Sequence, residues 1–561
     1  MTEGPAQRRA AEALALGGIA ALGAAVLALS WNRWLDPIVD LGRDLYVPEA
    51  MASGAALYAD LLYYYPPLAP LLLAAAVALF GSSLALYTAI GIVTAAIAAT
   101  SLYLLIRATS GWAPAAAIAM LFVALHLAGT STWGANFVFP YAHAAIFGMT
   151  FFLLFAASIG RYLFVRASAA SAWCAVAFGV LSASAKIEYV LAVALVVAVA
   201  VVVYRFPLRF LVAMAVAGAA VFAAAAFAFG GAPPGHRWLR DNVFAAPLLT
   251  SDAAGFFYGS VSGTASLAAS LGRAAVAALL LIAAIALLAA ADRALARGAR
   301  ILAGAAILAA MGALVLMAGA RFFAGWPLLM LALLPFAARE RATSPLAFLL
   351  AISLGTAARI FLSLGPGWYG FVLVLPTYAL VAYVLTRWLP GRGVYRRGFA
   401  AFWLVLAVAI GARGIAASYP SWRARSFEVR TARGAYLDEP RRGSAVRALL
   451  EWLARRPGGE TMAVMPEGLA INYFAARRTP LSFHTFTPIE IDDPAIERRL
   501  VAEIEERRPD LVVIVPRDVR EFGYRGFGVD YARDIAALLR QEYRLAWRSG
   551  ARPEIVALER R

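Results

Sequence analysis

The segment LALYTAIGIVTAAIAATSLYLLI, residues 84–106, carries no charged side chain and is followed directly by Arg107. As an α-helix with a rise of about 1.5 Å per residue, it is long enough to cross a hydrocarbon core of about 30 Å. Similar stretches recur along the chain of 561 residues, which is 62% hydrophobic and 15% charged. In soluble domains these fractions are about 45–50% and about 25%. The sequence therefore predicts a polytopic α-helical membrane protein and excludes a soluble enzyme.

Arginine side chains separate the apolar segments and predict their orientation. The chain has 50 Lys and Arg against 33 Asp and Glu, a formal net charge of +17. Cytoplasmic loops collect basic residues, so the flank formed by Arg8 and Arg9 places the N-terminus in the cytoplasm. The sequence has no basic stripe interleaved with aromatic residues, and we therefore expect no nucleic-acid partner.

About thirteen transmembrane helices place the Arg-rich loops on the cytoplasmic side. This number of helices leaves the C-terminus outside. The apolar stretch 66–81 is short and opens with prolines, so we interpret it as interfacial or re-entrant. Counting it as a span would place the Arg clusters at 292–300 and 386–397 outside. The expected location is the bacterial inner (cytoplasmic) membrane. The predicted spans are a first helix ending near Ser30, then 84–106, 113–129, 141–160, 168–185, 188–204, 210–230, 263–290, 301–320, 323–338, 345–363, 369–386 and 398–418.

The first extracytoplasmic loop, residues 31–83, concentrates acids and aromatic residues in a membrane half that otherwise has few acids. Its sequence from residue 34 is WLDPIVDLGRDLYVPEAMASGAALYADLLYYYPPLAP. A carboxylate at the membrane surface can remove the proton from a hydroxyl acceptor while that hydroxyl attacks. The alternative is a solvated connector without chemistry. The acids of the loop are Asp36, Asp40, Asp44, Glu49 and Asp60.

Four motifs of this loop occur in a fixed order: D-x-G-R-D-L-Y-V-P, G-x-x-L-Y-x-D, Y-P-P-L-A-P and L-F-G-S-S-L. Together they resemble the first periplasmic loop of bacterial GT-C glycosyltransferases, the superfamily of the protein O-mannosyltransferases and the lipid A aminoarabinose transferases. The resemblance implies a GT-C fold, a sugar donor linked to polyprenyl phosphate and a catalytic Asp near the start of the loop. Asp40 takes that place. Leu41 stands where many members have a Glu, so Asp44 remains an alternative for the base.

Weaker matches to the same superfamily follow along the chain. They are NFVFPYAHA (136–144), SAKIEY (184–189), RIFLSLGPGWYGFVLVLP (359–376) and, near the C-terminus, MPEGLAINYFAARRTP. In the third of these, Trp368 replaces the family's His. The resemblance implies contacts with substrate, and the residues that carry this role are Asp60, Tyr65, Asn136, Tyr141, Glu188 and Tyr369.

Three cations lie at the outer ends of apolar spans: Lys186, which is the only lysine, Arg321 and Arg359. A charge in this position is costly unless it faces a partner or a cavity. We interpret all three as a clamp for the phosphate of a lipid donor, which Arg holds in bidentate fashion and Lys as a point charge. The alternative is that the side chains extend to the lipid headgroups. Glu188 is positioned to neutralise Lys186.

Composition changes near residue 419, which divides the chain into a transmembrane glycosyltransferase domain, 1–418, and a small α/β domain, 419–561. Amphipathic helices such as SAVRALLEWLARR alternate there with strands such as DLVVIVPRD, a pattern typical of a three-layer sheet domain. We expect this extracytoplasmic domain to shape the entry of the acceptor. Its sequence shows no catalytic constellation.

These observations predict an integral membrane glycosyltransferase that inverts the anomeric configuration and uses an Asp general base. The expected partners are a polyprenyl-phosphate sugar, a lipid, glycan or protein acceptor, and membrane lipids. We expect no cofactor. No histidine pair has the spacing of metal ligands, so we also expect no metal site, and the use of a divalent metal ion is kept as an alternative. Alternative functions are a transporter or flippase for lipid-linked sugars, and a polysaccharide ligase or polymerase.

Overall fold

A computed structural model of the chain describes residues 5–130, 136–229, 251–296, 301–366, 370–550 and 554–561. Within these ranges, all thirteen segments predicted as spans contain helix. Eight helical segments there are long and apolar enough to cross a membrane. The other five predicted spans are shorter apolar helices. The prediction of a polytopic α-helical fold is therefore confirmed.

The helices of the membrane region are numbered here in chain order. The first eight are α1 (Pro5–Ser30), α2 (Leu41–Ala52), α3 (Leu68–Phe80), α4 (Leu84–Ser110), α5 (Trp112–Phe122), α6 (His143–Phe164), α7 (Ala169–Ala185) and α8 (Glu188–Tyr204). The next eight are α9 (Leu208–Phe229), α10 (Asp252–Ser262), α11 (Leu267–Ala296), α12 (Ile301–Ala318), α13 (Trp326–Glu340), α14 (Leu346–Ala357), α15 (Leu375–Tyr383) and α16 (Ala401–Ala424).

Large apolar side chains cover the outer surface of this helical bundle. Leu191 is 75% exposed, Val202 80% and Phe227 90%. A soluble monomer rarely presents such a surface, whereas lipid tails solvate it at no cost. Helix α3, which the sequence assigned to the interface, has 13 residues and is shorter than the roughly 20 needed to span a bilayer.

The first loop folds into helix α2, which lies against the C-terminal part of the chain. A side chain at Gly42 would place its Cβ 2.3 Å from the backbone nitrogen of Ala470, so only glycine allows this approach. The backbone N–H of Thr479 donates a hydrogen bond to the Tyr46 hydroxyl over 2.9 Å. These contacts fix the start of α2, where the predicted catalytic residues lie.

The C-terminal α/β region, residues 427–561, contains a hairpin and a mixed sheet. Strands β1 (Phe427–Thr431) and β2 (Gly434–Asp438) pair antiparallel. The sheet has the order β3-β4-β6-β5, in which only β3 and β4 run parallel. Its strands are β3 (Met462–Met465), β4 (Leu511–Ile514), β5 (Tyr543–Arg548) and β6 (Val556–Arg560). Its helices are α17 (Pro440–Ala454), α18 (Leu469–Phe474), α19 (Pro488–Ile491), α20 (Pro494–Arg507) and α21 (Arg533–Glu542).

The strands that the sequence predicts in TMAVMPE, DLVVIVPRD and EIVALER are present as β3, β4 and β6. The hairpin and β5 were not predicted, because β5 follows α21 without a turn signal. Since β3 and β4 are parallel neighbours, their carboxyl ends meet at one edge of the sheet, with Met465 beside Ile514. The loops that leave this edge carry Glu467 and Arg517 to the same place.

Candidate active site

Two cavities meet at Asp40, the residue that precedes α2. The first has a volume of about 450 Å³ and lies between the first loop, α10 and the C-terminal α/β region. The second, of about 290 Å³, lies between the first loop, residues 136–141 and the end of α16. Val39 and Asp40 line both cavities. A group bound in either cavity would therefore approach the same carboxyl group.

The backbone of Asp40 has an unusual conformation, with φ of 59° and ψ of −56°. Such a conformation costs a non-glycine residue of the order of 1–3 kcal/mol and persists only where its surroundings impose it. Here the Asp40 N–H donates to Glu467 Oε1 over 2.6 Å, and Arg517 Nε donates to Glu467 Oε2 over 2.7 Å. The C-terminal α/β region thus holds the carboxyl group of Asp40 at the junction of the cavities.

The carboxyl group of Asp40 lies among charges of both signs. Burial and then the negative charge of Glu467 raise its pKa to about 7, while Arg43 and Arg517 lower it. A carboxyl group with a pKa near neutrality can take a proton from an acceptor more readily than an ordinary Asp. This shift makes Asp40 a candidate general base on physical grounds as well as on motif position.

Asp44 has different surroundings from those of Asp40. It is 2% exposed, lines neither cavity, and accepts hydrogen bonds from the backbone N–H and the Nδ1 atom of His143, the first residue of α6. Burial raises its pKa, but the hydrogen bonds from His143 together with the charges of His143 and Arg43 outweigh burial and keep the pKa below its ordinary value. These contacts favour a positioning role for Asp44, which ties the loop to the bundle.

Arg43 is a further cation at the first cavity. Its guanidinium group lies 4.8 Å from the ring centroid of Tyr65 and 5.9 Å from that of Tyr63. Nε and Nη2 are buried without a hydrogen-bond partner, and the nearest carboxylate, Asp44, is 3.9 Å from Nε. An arginine with unsatisfied donors beside a cavity is suited to a negatively charged ligand.

The structure brings together Lys186 and Arg359, which are distant in sequence. Lys186 Nζ lies 3.2 Å from Glu188 Oε1, and Arg359 donates to Glu188 Oε2 over 2.7 Å. Lys186 also faces the rings of Tyr65 and Tyr141 at 5.3 Å and 5.8 Å. Tyr65 lines the first cavity and Tyr141 the second, so the cluster lies beside both.

Exposure separates the two cations of this cluster. Lys186 is only 3% exposed, whereas the Arg359 side chain is 28% exposed and faces the ring of Tyr258 at 5.2 Å. The burial of Lys186 is unlike that of a side chain extended to the headgroups. The role of the cluster in phosphate binding stays a prediction.

The remaining predicted site residues differ in whether they line a cavity. Asn136 lines the second cavity and accepts the N–H groups of Val138 and Phe139, so its side chain shapes the loop before α6. Asp60 is exposed, closes a turn by accepting the N–H of Ala56, and lines neither cavity. Tyr369 and the side chain of Arg321 lie outside the described residues.

Several cavity residues were not anticipated from the sequence. Arg43 belongs to the D-x-G-R-D motif and Glu467 to MPEG, so both carried a signal that was not assigned to a role. His484, Glu490 and Arg517 lie in segments without a motif, and only the fold brings them to the first cavity. The C-terminal α/β region therefore contributes a wall of polar residues where the sequence showed no constellation.

Comparison with known proteins shows which solved structures have a fold similar to that of this chain. No protein-family model and no curated protein matches the chain. A structure of the oligosaccharyltransferase from Archaeoglobus fulgidus in the apo form is 14% identical, with 89% of this chain and 69% of that chain covered and a TM-score of 0.50. The same protein tethered to an acceptor peptide is 13% identical over 95% and 72%, again with a TM-score of 0.50.

A third similar structure is ArnT from Cupriavidus metallidurans bound to undecaprenyl phosphate, at 14% identity, 96% and 98% coverage and a TM-score of 0.45. The chain shares its polytopic helical fold with the two oligosaccharyltransferase structures, in agreement with the fold that the resemblance of the first-loop motifs implied.

Proposed function

We propose that this protein is an integral membrane glycosyltransferase that uses a polyprenyl-phosphate sugar and an extracytoplasmic hydroxyl acceptor. The observation that carries the proposal is the position of Asp40, a carboxyl group with a raised pKa at the junction of two cavities. The fold and the first-loop motifs support the same class.

In the proposed reaction, Asp40 accepts the proton of the acceptor hydroxyl while the oxygen attacks the anomeric carbon. The new C–O bond forms as the bond from the anomeric carbon to the phosphate oxygen breaks, with inversion. The electron pair of that bond leaves with polyprenyl phosphate. Cations stabilise the growing negative charge of the leaving group, and Lys186, Arg359 and Arg43 are the candidates near the cavities.

The proposal is tested with purified protein, undecaprenyl phosphate carrying a radiolabelled sugar, and a panel of hydroxyl acceptors. Transfer releases free undecaprenyl phosphate and moves the label to the acceptor. Movement of intact labelled lipid across vesicles without this release would instead identify a transporter or flippase and overturn the proposal. Varying the sugar then determines the donor.

Proton transfer to Asp40 predicts a pH dependence of kcat/KM. With a pKa of about 7, the ionised fraction of Asp40 rises about tenfold between pH 6 and pH 8, and kcat/KM should rise with it. The charges that set this pKa are Glu467 and Glu521, which raise it, and Arg43 and Arg517, which lower it.

The Glu467→Gln variant serves as the control for this profile. It removes a negative charge beside Asp40 but keeps an oxygen that can accept the Asp40 N–H, so the rise should move to lower pH. A rate that is flat from pH 6 to pH 8 in the unmodified enzyme, or a rise centred near pH 4, would contradict the assignment of Asp40 as the base.

The proposed orientation is tested by cysteine labelling in intact cells. Cys174 is the only cysteine and is exposed, so the background is Cys174→Ala. Ser53→Cys and Ser444→Cys should react with a membrane-impermeant thiol reagent, because the first loop and the C-terminal α/β region are expected outside. Ala342→Cys is exposed between α13 and α14 and should react only after permeabilisation. The reverse pattern would invert the proposed topology.

A further inference from the structure

One stretch of the C-terminal α/β region lines the first cavity with polar side chains. It comprises residues 484–490 and contributes His484, Thr485, Thr487 and Glu490. The stretch is anchored by the Phe486 N–H, which donates to the carbonyl oxygen of Pro466 over 2.6 Å. This anchor follows β3, the strand that also positions Glu467.

His484 is the most informative of these residues. It is 6% exposed, and neither of its ring nitrogens has a hydrogen-bond partner. Buried polar groups in folded proteins are nearly always hydrogen-bonded, so a buried imidazole at a cavity wall that lacks partners for its nitrogens is a candidate to contact a bound group. Burial and then the charge of Arg43 lower its pKa to about 4. At neutral pH the ring is therefore uncharged and offers one donor and one acceptor.

Glu490 adds a second adaptable group to the same wall. Burial raises its pKa to about 7, although the Thr487 hydroxyl donates to its carboxyl group and lowers it. Near neutral pH a large part of the population is protonated and carries an O–H donor. His484 and Glu490 thus present donors and acceptors with little net charge. Such a wall suits hydroxyl groups, while Arg43 and Arg517 at the same cavity supply the positive charge that a phosphate requires.

The same cavity is also lined by aromatic side chains of α10, namely Phe256, Phe257 and Tyr258. Phe257 packs on Phe522 with ring centroids 5.3 Å apart, which joins α10 to the C-terminal α/β region. A sugar ring has an apolar face and a rim of hydroxyl groups. A cavity that combines aromatic surface with a few placed polar groups matches both.

We propose that His484, Thr487 and Glu490 form a binding site for the hydroxyl groups of an uncharged sugar ring in the first cavity. The inference rests on the proposed glycosyltransferase function and deepens it, because it assigns sugar recognition to the C-terminal α/β region. The ring belongs either to the lipid-linked donor or to a glycan acceptor, and the arms of the experiment distinguish these two sources.

The first test observes His484 directly. The chain has four histidines, so ¹⁵N-histidine labelling gives few imidazole signals, and His484→Gln identifies the relevant one. The purified full chain is titrated with undecaprenyl phosphate, with undecaprenyl phosphate carrying mannose, glucose or arabinose, and with soluble oligosaccharides of the same sugars. We expect the sugar-bearing ligands to move the His484 signal clearly further than undecaprenyl phosphate alone, because Arg43 at the same cavity also acts on His484.

A shift with the sugar-bearing lipids assigns the site to the donor, and a shift with the soluble oligosaccharides assigns it to the acceptor. A shift equally large with undecaprenyl phosphate alone would make the wall a phosphate site and overturn the inference. If undecaprenyl phosphate binds elsewhere but no sugar-bearing ligand moves the signal, the inference fails while the proposed function stands. If sugars move the signal but no transfer occurs, the proposed function fails instead.

The second test is kinetic and uses conservative pairs of variants. His484→Gln and Thr487→Val should each raise KM for the sugar-bearing substrate about tenfold, with kcat changed less, as expected for a lost hydrogen bond to an uncharged ligand. Glu490→Gln keeps a donor and should retain KM, whereas Glu490→Ala should not. Thr431→Val, on the β1–β2 hairpin and lining neither cavity, is the control. Normal KM for all the wall variants would overturn the inference.

Discussion

Replacing Asp40 with asparagine should lower sugar transfer by about 10²–10⁴-fold, the usual contribution of a general base. Asparagine keeps the size of the side chain and its oxygen acceptor but has no basic carboxylate. The backbone N–H of residue 40 still donates to Glu467, so the loop should retain its conformation. The measurement is kcat with labelled donor in detergent or nanodiscs, together with binding of undecaprenyl phosphate, which should be nearly unchanged.

Two further substitutions in the same loop control for loss of charge and of loop order. Asp60→Asn removes the same charge from an exposed turn that lines neither cavity, and it should leave kcat within a few fold. Asp44→Asn keeps an acceptor for His143 and should reduce activity moderately, through the attachment of the loop to α6. Near-normal turnover of Asp40→Asn with inactive Asp44→Asn would exchange the two assignments. Activity in both would remove the loop from the chemistry.

The sequence predicted those features that depend on local pattern. The long apolar segments and the amphipathic helices, such as α17 and α20, follow from periodicity and length. The prediction that Asp40 is the base came from its motif. The partners of Asp40 could not be predicted, because Glu467 is separated from it by 427 residues and reaches it through the packing of α2 at Gly42 against Ala470.

A second limit concerns residues that look alike in sequence. Asp40 and Asp44 are four positions apart in one acidic motif, yet one borders two cavities and the other binds His143. Asp40 differs from Asp44 in its left-handed backbone conformation. No residue type in the motif predicts that conformation. Likewise, His484 sits in a stretch of ordinary polar composition. Only packing shows that its ring nitrogens are buried without a hydrogen-bond partner.

Removing the Lys186–Arg359 cluster should have the other large effect. A preorganised donor to developing charge typically contributes about 10²–10³ in kcat, so Lys186→Ala and Arg359→Ala should each approach this loss. Both cations contact Glu188, and both would face one phosphate. Their effects should therefore be non-additive, with a double variant less impaired than the product of the single losses. Arg107→Ala, which removes an exposed Arg paired with Glu12, is the matched control.

The contact with Glu188 leads to a more specific prediction than the removal of a positive charge alone. In the cluster, Glu188 occupies both cations, so a bound phosphate would compete with it for their donors. Glu188→Gln should then strengthen binding of undecaprenyl phosphate while Lys186→Gln weakens it. Because Lys186 is the only lysine, ¹⁵N-lysine labelling gives one side-chain signal, which should move on addition of undecaprenyl phosphate and stay in place with uncharged undecaprenol. Equal responses to both lipids, with additive losses in the double variant, would show that the cluster has a structural role and does not bind the phosphate.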